Sequence, residues 1–209
     1  MTSFLIILSA CAVYGFLHSL LASVWIKNLI RGQFGDGLFR WYRLFYNFIV
    51  GVSFLPILAL IVWLPDQTLY TLPLPWSLLN GALQLLSAGV VLLGLKQSGL
   101  VPFLGLNALF GNSAAFPEKL TFTGLYAWVR HPIYTAGLVF LWSTPVLTRN
   151  LLAFNLALSI YIFIGAWLEE RKMVAQFGEL YRHYQREVPM FLPYRKPRSR
   201  LELELDKAE

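Results

Sequence analysis

The chain has 209 residues, of which 57% are hydrophobic and only 13% are charged, and its mean hydropathy is +0.58. About a quarter of the residues of an ordinary soluble domain are charged, so this composition excludes that class and indicates a membrane protein. The net charge of +6 does not indicate nucleic acid, because the basic residues flank apolar segments, as in proteins held against an anionic membrane face. A single cysteine excludes an internal disulfide and a multi-cysteine metal site.

Five apolar runs predict an all-α polytopic membrane protein with about five transmembrane helices. Three runs, at 3–26, 44–64 and 77–101, reach the roughly 20 residues that a spanning helix needs. Two shorter runs, at 133–148 and 151–168, are separated by the sequence TRN and predict a tight helical hairpin that crosses at a tilt or barely spans the hydrocarbon. The first run lacks the features of a signal peptide, so we expect a retained helix.

The distribution of basic residues predicts the orientation. The loop after the first run contains Lys27, Arg31, Arg40 and Arg43, whereas the next loop, PDQTLYTLPLP, contains no basic residue. Basic loops remain cytoplasmic. We therefore expect an integral protein of the cytoplasmic (inner) membrane, with its N-terminus outside and its C-terminus in the cytoplasm.

The segment that follows the fifth run, at 169–189, predicts a C-terminal amphipathic cytoplasmic helix. Apolar side chains recur at three- and four-residue intervals and would share one face. They are Met173, Phe177, Leu180, Tyr181 and Tyr184. The other face is mostly charged, so we expect the helix to lie at the interface or to fold over the ends of the spanning helices.

The sequence VRHPIYTAG places polar residues at the predicted start of the fourth run. Pro132 suits a first helical position, because its missing N–H would have no intrahelical partner there. His131 would then lie at a helix start, where free N–H groups favour an anionic group. Two interpretations remain open: Arg130, His131 and Tyr134 anchor the helix in the headgroups, or they form a polar site.

The adjacent carboxylates of Glu169 and Glu170 favour a site. Carboxylates near the end of an apolar helix are costly unless they are solvated, paired or used. The short TRN turn would make the last two helices antiparallel neighbours, so we expect RHPIY and these glutamates to face each other across a cleft. The alternative is that Glu170 and Arg171 only cap the tail helix or pair with headgroup-facing cations.

The sequence from about 124 to 193 resembles the C-terminal signature of the integral-membrane methyltransferases that include isoprenylcysteine carboxyl methyltransferases and bacterial phospholipid methyltransferases. The resemblance is carried jointly by RHPIY, EE, FGELYRHY and VPMFLP. It implies S-adenosylmethionine as the methyl donor, bound near the cytoplasmic face, and an acceptor that arrives from the bilayer. It also implies cofactor contacts, at His131, Pro132, Tyr134, Glu169 and Glu170.

Further blocks, FLHSLLAS, RWYRLFYN, FLGLNAL and FLWSTPVLT, resemble the methanethiol S-methyltransferases and the NnrU-like membrane proteins. They favour a small or lipophilic thiol acceptor over carboxyl methylation of an isoprenylcysteine-like compound. A non-catalytic or haem-binding NnrU-like protein is the alternative from another class. The implied regions are a three-helix membrane region at 1–101, a cofactor-binding region at 102–195 and a flexible tail at 196–209.

A sulfonium cofactor with a carboxylate, an ammonium group and an adenine needs carboxylates, helix-start N–H groups and aromatic faces. Glu169 and Glu170 supply the carboxylates, and the predicted helix start at His131 supplies the N–H groups. Tyr126, Trp128 and Tyr134 supply rings, and Val129 is a further expected cofactor contact. In-line methyl transfer needs no metal and depends on alignment and exclusion of water. A thiol reacts as its thiolate, so a cation or base is useful, and Arg130 and Arg171 are catalytic candidates.

His18 is the third catalytic candidate, because an ionisable group within a membrane helix is rare. It would position or deprotonate the acceptor, bind haem as in the NnrU-like group, or remain a neutral histidine bonded to a neighbouring helix. The sequence FGELYRHYQREVP is expected to close the cofactor pocket as a lid or, alternatively, to anchor the chain to lipid phosphate. The expected partners are thus the lipid bilayer and a small lipophilic or thiol substrate, with no nucleic acid.

Overall fold

The computed structural model describes residues 1–99, 101, 104–110 and 120–195 of the chain. Its described part contains seven α-helices, two short strands and two 3-10 helices. The α-helices are α1 Thr2–Ala22, α2 Val24–Phe39, α3 Tyr42–Trp63, α4 Trp76–Ser98, α5 Pro132–Trp142, α6 Arg149–Phe177 and α7 Glu179–Glu187. The strands are β1 Thr68–Thr71 and β2 Val146–Thr148, and the 3-10 helices are Leu106–Phe110 and Gly124–Ala127. The predicted tail at 196–209 lies outside the described residues.

Four helices are long and apolar enough to cross a membrane, by length and composition: α1, α3, α4 over Trp76–Gln97, and α6. Between 6% and 28% of the residues in their apolar windows are buried. Apolar side chains that are left exposed on helices of this length suit contact with lipid tails. The prediction of an all-α polytopic membrane protein is confirmed.

The predicted fourth span, 133–148, differs from the expectation. Only Pro132–Trp142 is helical, and these 11 residues extend about 17 Å at 1.5 Å per residue. The helix ends at Trp142, three residues before Pro145, and the residue before a proline disfavours helical backbone. In the described residues, four helices rather than five therefore have spanning length.

The segment that contains α5 nevertheless runs along the length of α4 in the opposite direction. At its beginning, the Leu125 N–H donates to Gln97 Oε1 near the C-terminal end of α4, at 3.2 Å. At its end, the Pro145 carbonyl accepts from the Leu72 N–H just before α4 begins, at 2.9 Å. The short helix and the extended residues after it thus connect the two ends of α4, as a fourth crossing requires.

The predicted boundary between the fifth span and the tail helix at 168/169 is also different. α6 continues without interruption for 29 residues to Phe177, so both glutamates lie within it. The break comes at Gly178, whose φ of 57° is unfavourable for a residue with a side chain. The amphipathic character predicted for the tail is present in α7, which buries Tyr181 and Tyr184 and exposes Arg182 and Arg186.

Two features were not predicted. The loop at 27–43 is mostly helical, because Ser23 caps the start of α2 by accepting from the Ile26 N–H. This helix is broken at Gly35, where φ is 71°. β1 and β2 form an antiparallel pair in which Thr68 lies opposite Thr148. Strands of four and three residues carry too little alternation to be recognised in sequence.

Contacts divide the chain into two compact units. The first comprises Met1–Thr71, Gly99–Pro117 and Val146–Leu158, and the second comprises Leu72–Ser98, Glu118–Pro145 and Ser159–Glu209. These units interleave along the sequence, and the predicted regional boundaries at 101/102 and 195/196 stay predictions.

In the second unit α4 and α5 pack closely at Gly94, where a Cβ atom would lie 2.6 Å from Ile133 Cγ1. A core cluster consists of Phe122, Tyr181, Tyr184 and Val188. It packs against Met173, Val174 and Phe177 of α6. This cluster joins α7 to α6 and to the segment that leads into the RHPIY sequence.

Candidate functional site

The RHPIY sequence forms the start of α5, as predicted from Pro132. His131 is the N-cap residue with non-helical backbone, Pro132 occupies the first turn, and the Thr135 N–H donates to the His131 carbonyl at 2.9 Å. In the described part of the chain no side chain caps this helix. The first N–H groups of a helix have no intrahelical partner, so those of Ile133 and Tyr134 are available to an acceptor.

Glu170 is the centre of a charged network. Its Oε1 atom accepts from Arg130 Nε at 2.6 Å and lies 3.2 Å from His131 Nε2, and its Oε2 atom accepts from Gln185 Nε2 at 2.8 Å. The Glu170 and Arg130 side chains are only 12% and 9% exposed. An ion pair this deeply placed is stable only when hydrogen bonds satisfy its remaining atoms, and the third partner, Gln185, provides one of them.

Glu169, the next residue in α6, has different surroundings. Its Oε2 atom accepts a hydrogen bond from the Tyr134 hydroxyl at 2.8 Å. The Tyr134 ring in turn stacks on the His131 ring, with centroids 5.3 Å apart and planes 14° from parallel. Among the described residues, no cation lies within ion-pair distance of Glu169. Its carboxylate keeps spare acceptor positions.

The segment after α7 is bonded along the RHPIY sequence. The Arg130 and His131 N–H groups donate to the Pro189 and Met190 carbonyls at 2.9 and 3.1 Å. Arg130 Nη1 also donates to the carbonyls of Gln185 and Val188. These bonds hold the predicted lid sequence in place over the backbone of the site.

The aromatic residues of α7 fix the 3-10 helix that precedes the site. The Tyr184 hydroxyl donates to the Tyr126 carbonyl at 2.6 Å, and its ring meets Phe122 edge to face, with centroids 5.0 Å apart. Burial raises the pKa of Tyr184, so the hydroxyl stays protonated and remains a donor. Tyr126 is half-buried and Val129 is buried, so the Val129 side chain is part of the packing beneath the motif.

The structure thus brings together most of the predicted site residues within the second unit. They are Tyr126, Val129, Arg130, His131, Pro132, Tyr134, Glu169 and Glu170. Arg171 is on α6, like the two glutamates, but its side chain is exposed. Its guanidinium lies 4.8 Å from the centroid of the Trp167 ring. His18 belongs to the first unit, where its Nε2 atom lies 2.8 Å from the Tyr46 hydroxyl. The catalytic roles of Arg130, Arg171 and His18 stay predictions.

Sequence reasoning did not identify Gln185 or Thr135 as part of the site. Thr135 Oγ1 lies 3.0 Å from both the His131 and the Phe191 carbonyl oxygens. Gln185 follows an apolar position of the amphipathic helix and resembles any solvated polar residue in sequence. The only available signal was its place between the aromatic face of α7 and the VPMFLP sequence.

Comparison with known proteins finds similar methyltransferases. No family model matches the chain, and no solved structure matches it. Methanethiol S-methyltransferase 1 of Bradyrhizobium diazoefficiens is 42% identical over 90 residues, which are 43% of this chain and 31% of the relative. A methanethiol S-methyltransferase of a Pseudomonas species is 37% identical over 143 residues, 66% of this chain and 55% of the relative.

Human protein-S-isoprenylcysteine O-methyltransferase is 34% identical over 95 residues, 43% of this chain and 33% of the relative. The chain spans about half the length, or less, of these curated relatives. Their names all describe methyltransferases, which implies a methyl donor. The chain is thus similar to membrane methyltransferases, namely to methanethiol S-methyltransferases and, at lower identity, to isoprenylcysteine O-methyltransferases.

Proposed function

We propose that this protein transfers a methyl group from S-adenosylmethionine to a small or lipophilic thiol within the membrane. The observation that carries the proposal is that two adjacent carboxylates have different bonding partners. Glu170 is neutralised by Arg130, whereas among the described residues Glu169 is bonded only to the neutral Tyr134 hydroxyl. A half-buried carboxylate without a cation suits a ligand that brings one.

The side chains present fit such a donor. Glu169 supplies acceptor oxygens for an ammonium group or for ribose hydroxyls. The uncapped start of α5 supplies N–H groups for a carboxylate. The Tyr134 and Tyr126 rings supply faces for adenine or for a sulfonium cation. When bound, S-adenosylmethionine supplies an activated methyl group that is attached to a positively charged sulfur.

Arg130 acts in this proposal as a positioning residue. Its Nε atom bonds to Glu170 and its Nη1 atom bonds to the carbonyls of Gln185 and Val188. A guanidinium does not lose its proton in proteins, so it is not a base, and its charge is already compensated. The proton of a thiol acceptor therefore needs another group, and His18 remains our candidate.

We further propose that the protein lies in the cytoplasmic membrane with the N-terminus outside. The segment that contains α5 connects both ends of α4, which supports a further crossing besides the four long helices of the described residues. An odd number of crossings would agree with an N-terminus outside and a C-terminus in the cytoplasm. The basic residues of α2 then face the cytoplasm, together with α7.

The test is calorimetric binding of S-adenosylmethionine to detergent-purified protein, with Glu169→Gln beside Gln176→Glu as a control. Gln176 is an exposed residue of the same helix. We expect micromolar binding that weakens at least tenfold in Glu169→Gln and is unchanged in Gln176→Glu. Absence of binding by folded wild-type protein would overturn the proposal.

The acceptor is tested by methyl transfer from radiolabelled S-adenosylmethionine. Methanethiol and longer alkyl thiols are compared with a prenylated cysteine whose carboxylate is free. We expect faster transfer to thiols, in agreement with the identities of up to 51% to methanethiol S-methyltransferases. Faster transfer to the prenylcysteine would assign the chain to carboxyl methylation, for which the 34% identity to the human enzyme is the supporting observation.

A further inference from the structure

Gln185 contacts both members of the ion pair beneath the site. Its side-chain Nε2 atom donates to Glu170 Oε2 at 2.8 Å, and its backbone carbonyl accepts from Arg130 Nη1 at 2.9 Å. Arg130 Nε donates to the other oxygen of Glu170 at 2.6 Å. The three residues therefore form a closed ring of hydrogen bonds that joins α7, α6 and the segment before α5.

This ring is connected to the residues that would hold the donor. Glu170 Oε1 lies 3.2 Å from His131 Nε2, and the His131 ring stacks on Tyr134. The Tyr134 hydroxyl then donates to Glu169. A rotation of the Glu170 carboxylate would break its contact with His131. The His131 ring would then no longer hold Tyr134 in the orientation that reaches Glu169.

We propose that Gln185 is a positioning residue that fixes the carboxylate of Glu170, so that His131, Tyr134 and Glu169 are preorganised for the methyl donor. A glutamate carboxylate that accepts hydrogen bonds through only one of its oxygens can rotate about its Cγ–Cδ bond. The amide of Gln185 occupies the second oxygen and prevents this rotation. The side chains of the site are then ordered before the donor binds, so the binding free energy is not reduced by the cost of ordering them. This inference rests on the proposed function.

The first variant is Gln185→Leu, which removes the donor and keeps a side chain of similar size, with Gln176→Leu as the exposed control on α6. We expect Gln185→Leu to weaken calorimetric binding of S-adenosylmethionine at least tenfold. We expect Gln176→Leu to bind like wild type. Thermal unfolding of both variants reports whether the fold is retained.

The decisive variant is Gln185→Glu, because its effect depends on pH in a direction that a packing role would not produce. Two carboxylates at this distance disfavour each other's ionisation, so the pKa of one of them is raised. At high pH the new carboxylate repels Glu170. As the pH falls, the new carboxyl group gains a proton, which restores a donor to Glu170 Oε2. The ratio of the dissociation constants of Gln185→Glu and wild type should therefore fall at least fivefold from pH 8.5 to pH 6.0.

Other titratable groups near Glu170 affect the dissociation constants of the variant and of wild type alike, so their effect cancels in this ratio. Those that face Glu170 are Arg130 and His131 before α5, Glu169 on α6, and Tyr181 and Tyr184 on α7. The Gln176→Glu variant is measured over the same pH range and should give a constant ratio.

The outcomes separate the inference from the proposed function. Wild-type binding with a Gln185→Glu ratio that does not change with pH would overturn the role of Gln185 and leave the proposed function standing. Failure of folded wild type to bind S-adenosylmethionine would overturn both. If Gln185→Leu does not fold, the pH dependence of Gln185→Glu decides the question alone.

Discussion

Glu169 and Glu170 are neighbours in α6, yet their carboxylates have different partners. Glu170 lies 2.6 Å from Arg130 Nε, and Glu169 accepts from the Tyr134 hydroxyl at 2.8 Å. Successive residues of a helix point about 100° apart, so the pair reaches two different sides of the segment that begins at Arg130. One carboxylate is held in an ion pair of the second unit, and the other has no ion-pair partner among the described residues.

We predict that the two glutamates differ in their contribution to stability. Glu170→Ala leaves the Arg130 guanidinium without its counterion, and breaking a buried pair costs about 3–5 kcal/mol. Glu169→Ala removes one hydrogen bond, which contributes about 1 kcal/mol. The free energy of unfolding in one detergent measures both changes. Equal losses in the two variants would contradict the division of roles.

Tyr184 provides a test of the contact between α7 and the site. Tyr184→Phe keeps the ring against Phe122 but leaves the Tyr126 carbonyl without its donor, which costs about 1–3 kcal/mol. Tyr184→Ala should cost about 3–5 kcal/mol, as other truncations of large buried side chains do.

The matched control is Tyr194→Phe, at a side chain that is 72% exposed. We expect no measurable change in unfolding free energy for this variant. If Tyr184→Phe and Tyr194→Phe were equally stable, the hydrogen bond to the Tyr126 carbonyl would not contribute to the free energy of unfolding.

Gly94 tests the close packing of α4 on α5. Gly94→Ala places a Cβ atom 2.6 Å from Ile133 Cγ1, and overpacking of this kind costs about 1–3 kcal/mol. Gly89→Ala, in the same helix, meets no atom within 4 Å and should be neutral or slightly stabilising.

The cause is checked with the double variant Gly94→Ala/Ile133→Ala. Removing the Ile133 side chain opens the space that the new methyl group needs. We therefore expect the double variant to be more stable than the sum of the two single changes predicts. Simple additivity would show that the clash is not the reason.

His18 is predicted to act on the acceptor and not on the methyl donor. The hydrogen-bond network around Glu169 and Glu170 in the second unit does not include it, and its Nε2 atom lies 2.8 Å from the Tyr46 hydroxyl. We expect His18→Gln to lower kcat for thiol methylation about 100-fold, the usual contribution of a general base. The dissociation constant for S-adenosylmethionine should not change.

A haem absorption band in purified protein that is lost in His18→Ala would contradict this role and favour the haem-binding alternative. An unchanged kcat in His18→Gln would leave His18 as a structural partner of Tyr46.

Much of the architecture was determined by the sequence alone. Apolar runs of spanning length predict α1, α3 and α4, since a backbone in lipid must satisfy its own hydrogen bonds as a helix. Pro132 predicts the start of α5, because proline has no N–H to lose there. The periodicity of Tyr181 and Tyr184 predicts the buried face of α7. Each of these features depends on residues that are close together in the chain.

The tertiary structure decided what depends on distant partners. Two adjacent glutamates are equivalent in sequence, and their roles differ only because Arg130, 40 residues earlier, reaches one of them. The role of Gln185 likewise depends on a ring of bonds that closes between three segments. Local pattern sets which elements form and which face is apolar. Only their packing in space sets which carboxylate is paired with a cation and which is bonded to a tyrosine hydroxyl.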